Sequence, residues 1–169
     1  AITFENASIE LDTENSVMRL HAGARWRDVI NAADPVGLGP RVMQSNYDFG
    51  VAATFCVNAH GWPAKEGPMG STVRAFEMLL PEGELVRCSR SENSDLFNMT
   101  MGGYGLTGIV TQMDVDLAKN VRLEPTFEEV PAESLGKRFI EVLKDRTVNM
   151  AYGRLNVGRD DFMMRGLLV

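Results

Sequence analysis

Residues 70–117 have the sequence GSTVRAFEMLLPEGELVRCSRSENSDLFNMTMGGYGLTGIVTQMDVDL. Residues 73–80 and 85–88 are rich in apolar and β-branched side chains and flank a Pro-Glu-Gly-Glu turn, which predicts a β-hairpin. A helix running to about Met99 should follow, because serine and asparagine residues can cap its start and a glycine pair ends it. Residues 109–117 alternate between apolar and polar side chains, which is typical of a strand with one buried face.

The flanking sequence predicts similar elements. Residues 9–11 and 17–22 surround an Asp-Thr-Glu-Asn-Ser turn and predict another hairpin. Residues 25–33 carry Trp, Val, Ile and Ala on one face of a short helix. On the far side, residues 135–143 have apolar side chains at helical spacing, and residues 147–157 are strand-like. The stretch between the first helix and the central hairpin is expected to be a loop.

This order of elements predicts an α+β fold, with a largely antiparallel sheet flanked by helices. Pro125 and Pro131 interrupt the chain after the last strand of the first region. We therefore predict one domain over residues 1–118 and the beginning of a second over residues 119–169.

Composition and charge exclude several classes of protein. The 169 residues are 44% hydrophobic and 24% charged, a globular composition that excludes a disordered chain. The 17 basic and 23 acidic residues give a net charge of -6, which argues against binding to nucleic acid or to an anionic membrane. The two cysteines, Cys56 and Cys88, cannot build a disulfide framework.

The two ends of the sequence suggest a piece of a longer protein. The chain begins at Ala1 without a methionine and ends in the apolar run Gly-Leu-Leu-Val, with no residue that would cap or end a helix or strand. No apolar run reaches the length of a membrane span. We expect a cytoplasmic location, although a missing N-terminus would hide any targeting segment.

Residues 103–108, Gly-Tyr-Gly-Leu-Thr-Gly, match the GxGxxG pattern of dinucleotide-binding folds. That pattern works when a strand precedes it and a helix follows, because the pyrophosphate then meets a helix N-terminus. Here a predicted helix precedes the glycines and a predicted strand follows. The reversed order excludes a Rossmann site and leaves a helix-to-strand loop.

Residues 42–62 have the sequence VMQSNYDFGVAATFCVNAHGW. This stretch is apolar overall, but it contains many small residues and a few polar side chains. Exposed backbone amides can form an anion-binding concavity, and small side chains allow a flat aromatic ligand to approach. Close packing of a core segment would explain the same composition. Both interpretations stay open on composition alone.

His60 is the candidate catalytic residue of this segment, because an imidazole can polarise a ligand or move a proton. A hydrogen-bonded structural role is the competing interpretation, and we assign that role to His21. Cys56 and His60 have a spacing found in metal sites, but the chain offers too few further ligands, so no metal is predicted. Cys56 is expected to be an inert buried thiol.

Four motifs in order are similar to the flavin-binding domain of the vanillyl-alcohol oxidase / p-cresol methylhydroxylase superfamily. They are His60-Gly61, the Glu82-Gly83 turn, the Asp95-Leu96-Phe97 helix and the glycine loop of residues 102–109. Residues 21–30 add to the resemblance, which covers roughly residues 17–117. Within this superfamily, the sequence most resembles the branch that contains alditol oxidase and decaprenylphosphoryl-ribose oxidase.

The resemblance implies an FAD-dependent oxidoreductase that oxidises an alcohol, of polyol or sugar type, by hydride transfer to the flavin. Residues 1–118 would be the second subdomain of the FAD-binding domain, and residues 119–169 the start of the substrate domain. His60 would lie near the reactive flavin edge. The implied FAD contacts, mostly through backbone, are Ser45, Asn46, Gly50, Val51, Ala52, Ala53, Val57, Asn58, Ala59, His60, Gly61, Gly108 and Val110.

The sequence also departs from that family. Ala52 and Ala53 stand where the family usually has two glycines, and their methyl groups could hold the cofactor back from the backbone. A flavoenzyme like UDP-N-acetylenolpyruvoylglucosamine reductase is one alternative, although Asn58-Ala59-His60 does not match its glycine-rich stretch. A non-catalytic remnant that self-associates through an exposed subdomain face is the other.

Overall fold

The computed structural model describes residues 8–169; residues 1–7, where the first predicted domain begins, lie outside the described part. Contacts within the chain define two compact units. The first unit contains the residues up to Gly61 together with 66–121, and the second contains 62–65 together with 122–169. No helix among the described residues is long and apolar enough to cross a membrane.

The first unit is built on an antiparallel sheet that has six strands among the described residues. The long strand β6 lies at its centre, between β2 and β4, and the order across the sheet is β1-β2-β6-β4-β5, with β3 also paired to β6. The strands are β1 (Ile9–Asp12), β2 (Val17–His21), β3 (Leu38–Pro40), β4 (Val73–Leu79), β5 (Leu85–Ser89) and β6 (Ile109–Lys119).

Helices cover one face of this sheet and enclose an aromatic core. They are α1 (Trp26–Ala33), α2 (Val51–Cys56) and α3 (Ser94–Thr100). The fully buried rings of Phe55, Phe76 and Phe97 lie 5.3 to 5.8 Å apart between centroids and join α2, β4 and α3. Such ring pairs add about 0.5–1.5 kcal/mol each beyond their buried area, so α2 is held by its packing.

The opposite face of the sheet is polar. Alternation in β6 puts Gln112, Asp114 and Asp116 on this face and Met113, Val115 and Leu117 in the core. Strand periodicity therefore accounts for both the core and the charged surface of the first unit.

The second unit is a small three-stranded antiparallel sheet with one helix. Its elements are β7 (Glu128–Pro131), α4 (Ala132–Val142), β8 (Gly153–Leu155) and β9 (Arg165–Leu168), in the sheet order β7-β9-β8. Leu135 of α4 packs against Gly166, where an added Cβ would lie 2.8 Å from the leucine side chain. Trp62 stacks on Tyr152 at 4.5 Å between ring centroids.

The predicted α+β class and antiparallel sheet are confirmed, and so are the two hairpins, α1, α3, β6 and α4. The helix α2 lies where a loop was expected. Its six residues make fewer than two turns, and tertiary contacts rather than propensity stabilise it.

The strand expected over residues 147–157 is reduced to β8, and β7 and β9 were not anticipated. The backbone before β8 bonds to residues 62–64 instead of a neighbouring strand: Ala64 donates to the Asn149 carbonyl at 2.8 Å, and Ala151 donates to the Trp62 carbonyl at 3.1 Å. Such long-range pairing leaves no local pattern in the sequence.

Candidate functional site

The start of α2 is fixed by a buried hydroxyl. The Thr54 hydroxyl donates to the Gly50 carbonyl at 2.9 Å, and it accepts a hydrogen bond from the Trp26 indole N–H at 3.0 Å. The Val51 amide donates to the Ala24 carbonyl at 3.0 Å, and the Val51 side chain is fully buried. Of the predicted contact residues at this end, Ala53 is the exposed one.

A tight turn at residues 57–59 follows α2. Asn58 has a left-handed backbone, with φ at 46°, and its amide donates to the Phe55 carbonyl at 2.8 Å. The Ala59 amide donates to the Thr54 carbonyl at 3.0 Å, and the Ala59 carbonyl accepts from the Met69 amide at 2.9 Å. Backbone bonds on both sides therefore fix the turn that precedes His60.

The glycine loop of residues 102–108 lies against the C-terminal end of α2. The Tyr104 amide donates to the Cys56 carbonyl at 2.8 Å, and the Gly102 amide donates to the Phe55 carbonyl at 3.3 Å. Both carbonyls belong to the last turn of α2, which has no further helical amides to satisfy them. The structure thus brings the 42–62 segment and the glycine loop together.

The glycines of this loop are required by the loop itself. A Cβ at Gly103 would lie 2.1 Å from the Met99 carbonyl oxygen, and Gly105 has φ at 76°. The loop runs from α3 into β6, so a helix precedes it and a strand follows, as predicted. The GxGxxG letters therefore mark a packed helix-to-strand turn.

His60 is exposed, and its Nδ1 lies 3.2 Å from the Gly61 carbonyl oxygen. When Nδ1 carries the proton it donates to this carbonyl, and Nε2 is then an acceptor. An exposed imidazole in this tautomer can accept a proton from a bound ligand.

The remaining predicted contact residues occupy different positions. Ser45 and Asn46 lie on an exposed loop, where the Asn46 side chain accepts from the Asp48 amide at 2.9 Å. Gly108 packs tightly: a Cβ there would lie 2.8 Å from the Leu79 carbonyl oxygen. Val110 is buried opposite Met78 in the sheet, so only its main chain could reach a ligand.

Cys56 is a half-buried free cysteine at the end of α2. Burial raises the pKa of its thiol above the ordinary value and outweighs a backbone hydrogen bond from Gly105. Among residues 8–169 there is no group of three or more His, Cys, Asp and Glu side chains that could hold a metal ion.

Sequence reasoning missed two residues that complete the site, Gly70 and Arg90. The Gly70 amide donates to the Asn58 side-chain carbonyl at 2.9 Å, and the Gly70 carbonyl accepts from Arg90 at 2.7 Å. These residues are far apart in the chain, and no spacing in the sequence joins them.

The glycine loop thus contacts the last turn of α2, and the turn that leads to the exposed His60 follows directly. The chain belongs to the FAD binding domain family, whose model matches residues 3–89. This domain is of the p-cresol methylhydroxylase type, and its cofactor is FAD. Both predictions are confirmed, while the alditol oxidase branch stays a prediction.

Relatives with similar sequences are redox enzymes by name. The chain is 36% identical over 93 residues to cytokinin dehydrogenase 7 of Oryza sativa subsp. japonica, a match that covers 54% of this chain and 18% of the relative. It is 30% identical over 123 residues to the FAD-dependent monooxygenase tpcD of Cochliobolus heterostrophus, covering 66% and 21%. The chain thus spans about a fifth of the length of these curated relatives.

A solved structure shares the fold. The 6-hydroxy-D-nicotine oxidase of Arthrobacter nicotinovorans superposes with a TM-score of 0.70 at 20% sequence identity, over 96% of this chain and 37% of that one. At this identity the likeness concerns the fold alone.

Proposed function

We propose that this chain forms part of the FAD site of an oxidoreductase, with the flavin against α2 and the turn at residues 57–59. The observation that supports it is the contact between the glycine loop and the last turn of α2, directly before the turn at residues 57–59, in a chain of the FAD binding domain family. Bound flavin supplies the redox chemistry by accepting a hydride.

The exposed side chains around the end of α2 fit an aromatic ring system. Ala53 and Val57 are four residues apart on one face of the helix and its cap, and both are exposed. Tyr104 and Leu106 of the adjacent loop are exposed as well. Methyl and aromatic groups of this kind bind a flat ring by displacing water from it.

In this proposal His60 acts on the substrate. Its Nδ1–H donates to the Gly61 carbonyl, which orients the ring and leaves Nε2 to accept a proton from a substrate hydroxyl. The other contact residues named from the sequence would hold the cofactor mainly by backbone, except at Val51, Val57, Asn58 and Ala59, whose amides already donate within the chain.

The first substrate class that we propose is an alcohol of polyol or sugar type. A cytokinin is the second candidate, favoured by the 36% identity to a cytokinin dehydrogenase. Anaerobic mixing of the flavin-loaded full-length protein with each compound would bleach the visible flavin band with the true substrate class.

The test of the His60 role uses the two histidines of this chain in the full-length protein. We expect His60→Gln to retain FAD and to slow flavin reduction by about 10²-fold, the usual contribution of a general base. His21→Gln, in β2, is the matched control and should reduce flavin at the wild-type rate. Equal rates of flavin reduction in His60→Gln and wild type would exclude His60 as the proton acceptor. A full-length protein that takes up no FAD would refute the whole proposal.

A further inference from the structure

The turn that presents His60 is held by a closed ring of contacts that joins Asn58 and Phe55 to Gly70, Arg90 and Phe97. Asn58 accepts the Gly70 amide at 2.9 Å, and Arg90 donates to the Gly70 carbonyl at 2.7 Å. The Arg90 guanidinium carbon lies 5.2 Å from the centre of the Phe97 ring. Phe97 contacts Phe55 in α2, and the Phe55 carbonyl accepts from the Asn58 amide, which closes the ring.

Each member of the ring suits its place chemically. Asparagine tolerates the left-handed backbone better than most residues and offers a side-chain carbonyl as acceptor. Gly70 is buried, and a Cβ there would lie 2.0 Å from the Met101 sulfur and 2.9 Å from the Asn58 acceptor oxygen. Arginine can donate to a carbonyl while its flat face covers an aromatic ring, which lysine cannot do equally well.

We propose that Asn58 and Arg90 are positioning residues, which fix the turn at residues 57–59 through the two peptide groups on either side of the Gly70 Cα and so hold His60 and the backbone beside it in place for FAD. This inference rests on the proposed function. Neither residue needs to contact the cofactor. Both act through Gly70, one at its N–H and the other at its carbonyl, so their effects should be coupled.

Paired substitutions separate the hydrogen bond from the backbone requirement. Asn58→Gly keeps the left-handed conformation without strain but removes the acceptor. Asn58→Asp keeps both the acceptor and the tolerance of this conformation. Arg90→Met keeps the length and apolar contact of the side chain and removes the donor.

The experiment measures the FAD dissociation constant and amide hydrogen exchange of the flavin-free full-length protein. We expect Asn58→Gly and Arg90→Met each to raise the FAD dissociation constant about tenfold and to speed exchange in residues 57–61, as for the loss of one partly buried hydrogen bond. Asn58→Asp should leave both the FAD dissociation constant and the amide exchange rate of residues 57–61 at the wild-type values. The double variant should bind FAD no more weakly than the weaker-binding single variant, because both changes free the same residue, Gly70.

Asn93→Gly is the matched control. Asn93 also has a left-handed backbone, with φ at 47°, and its side-chain amide donates to the Arg87 carbonyl at 2.7 Å. It should lower the melting temperature while FAD affinity stays at the wild-type level.

The outcomes distinguish this inference from the proposed function. Wild-type protein that binds FAD, with Asn58→Gly binding it equally well, would overturn the positioning role alone. Additive effects of Asn58→Gly and Arg90→Met would also overturn it, since they would show that the two side chains do not act together through Gly70. Wild-type protein that binds no FAD would overturn the proposed function and this inference with it.

Discussion

Asp114 is the most heavily paired carboxylate on the polar face of the first unit. It accepts from Arg19 at 2.7 and 3.1 Å and from Arg87 at 2.8 Å. Burial by itself would raise the pKa of Asp114, but the hydrogen bonds from the two arginines outweigh it and hold the pKa below the ordinary value of 3.8. The carboxylate therefore ties β2 and β5 to the central strand.

We expect Asp114→Asn to lower the free energy of unfolding at pH 7 by about 2 kcal/mol, because two arginines lose a charged partner. Since the folded pKa is the lower one, the carboxylate stabilises the protein fully above the unfolded pKa and loses this effect as the pH falls through the folded pKa. Urea unfolding should show a constant gap between variant and wild type from pH 5 to pH 8, which closes below about pH 4.

Asp116→Asn is the control for this prediction. Asp116 lies two residues along the same strand and pairs with one arginine, Arg74, which is half exposed. Asp116→Asn should lower the free energy of unfolding by less than about 1 kcal/mol. An Asp114→Asn protein whose gap persists unchanged at pH 3 would show that the aspartate acts by shape and not by charge.

At the scale of elements, the glycine loop tests whether steric fit or backbone conformation dictates its sequence. We expect Gly103→Ala to lower the free energy of unfolding by about 3 kcal/mol, because the new Cβ would meet the Met99 backbone oxygen. Gly105→Ala should lower it by about 1 kcal/mol, since its φ is 76° but the surrounding space is open. Equal losses in urea unfolding of the two variants would contradict the steric account.

Helices and strands whose apolar side chains recur at regular spacing could be predicted from the sequence, whereas elements that depend on distant partners could not. Apolar and polar side chains alternate within β6 itself, so both the strand and its buried face could be predicted from these residues alone. The three-residue strand β3 exists because β6 lies beside it, and α2 exists because Phe55 packs into the aromatic core. Short elements of this kind carry too little pattern of their own.

The candidate site shows the same division. The segment with His60 was found because small and polar residues interrupt an apolar run, and that signal is local. The contacts of Asn58 with Gly70, and of Gly70 with Arg90, join parts of the chain that fold together only in three dimensions. Nothing in the sequence distinguishes Gly70 from an ordinary loop glycine until its neighbours in space are known.

At the scale of the whole molecule, an apolar row on the sheet of the first unit bears on self-association, which belongs to the alternative of a non-catalytic remnant. Leu85 of β5, Leu79 of β4 and Ile109 of β6 are direct cross-strand neighbours and share one face. Their exposed fractions are 58%, 36% and 42%. A contiguous row of this kind favours contact with another apolar surface more than scattered single side chains do.

We expect the 169-residue chain alone to self-associate through this row, with a molar mass in light scattering that rises with protein concentration. Leu85→Lys should shift the protein toward monomer, because a lysine on the edge strand β5 puts a charge into the contact. Val36→Lys is the matched control: Val36 is 50% exposed on a single-turn helix after α1, and its change should leave the mass unaltered. A monomer at every concentration would exclude the row as a self-association surface, and equal effects of the two lysines would assign any change to net charge.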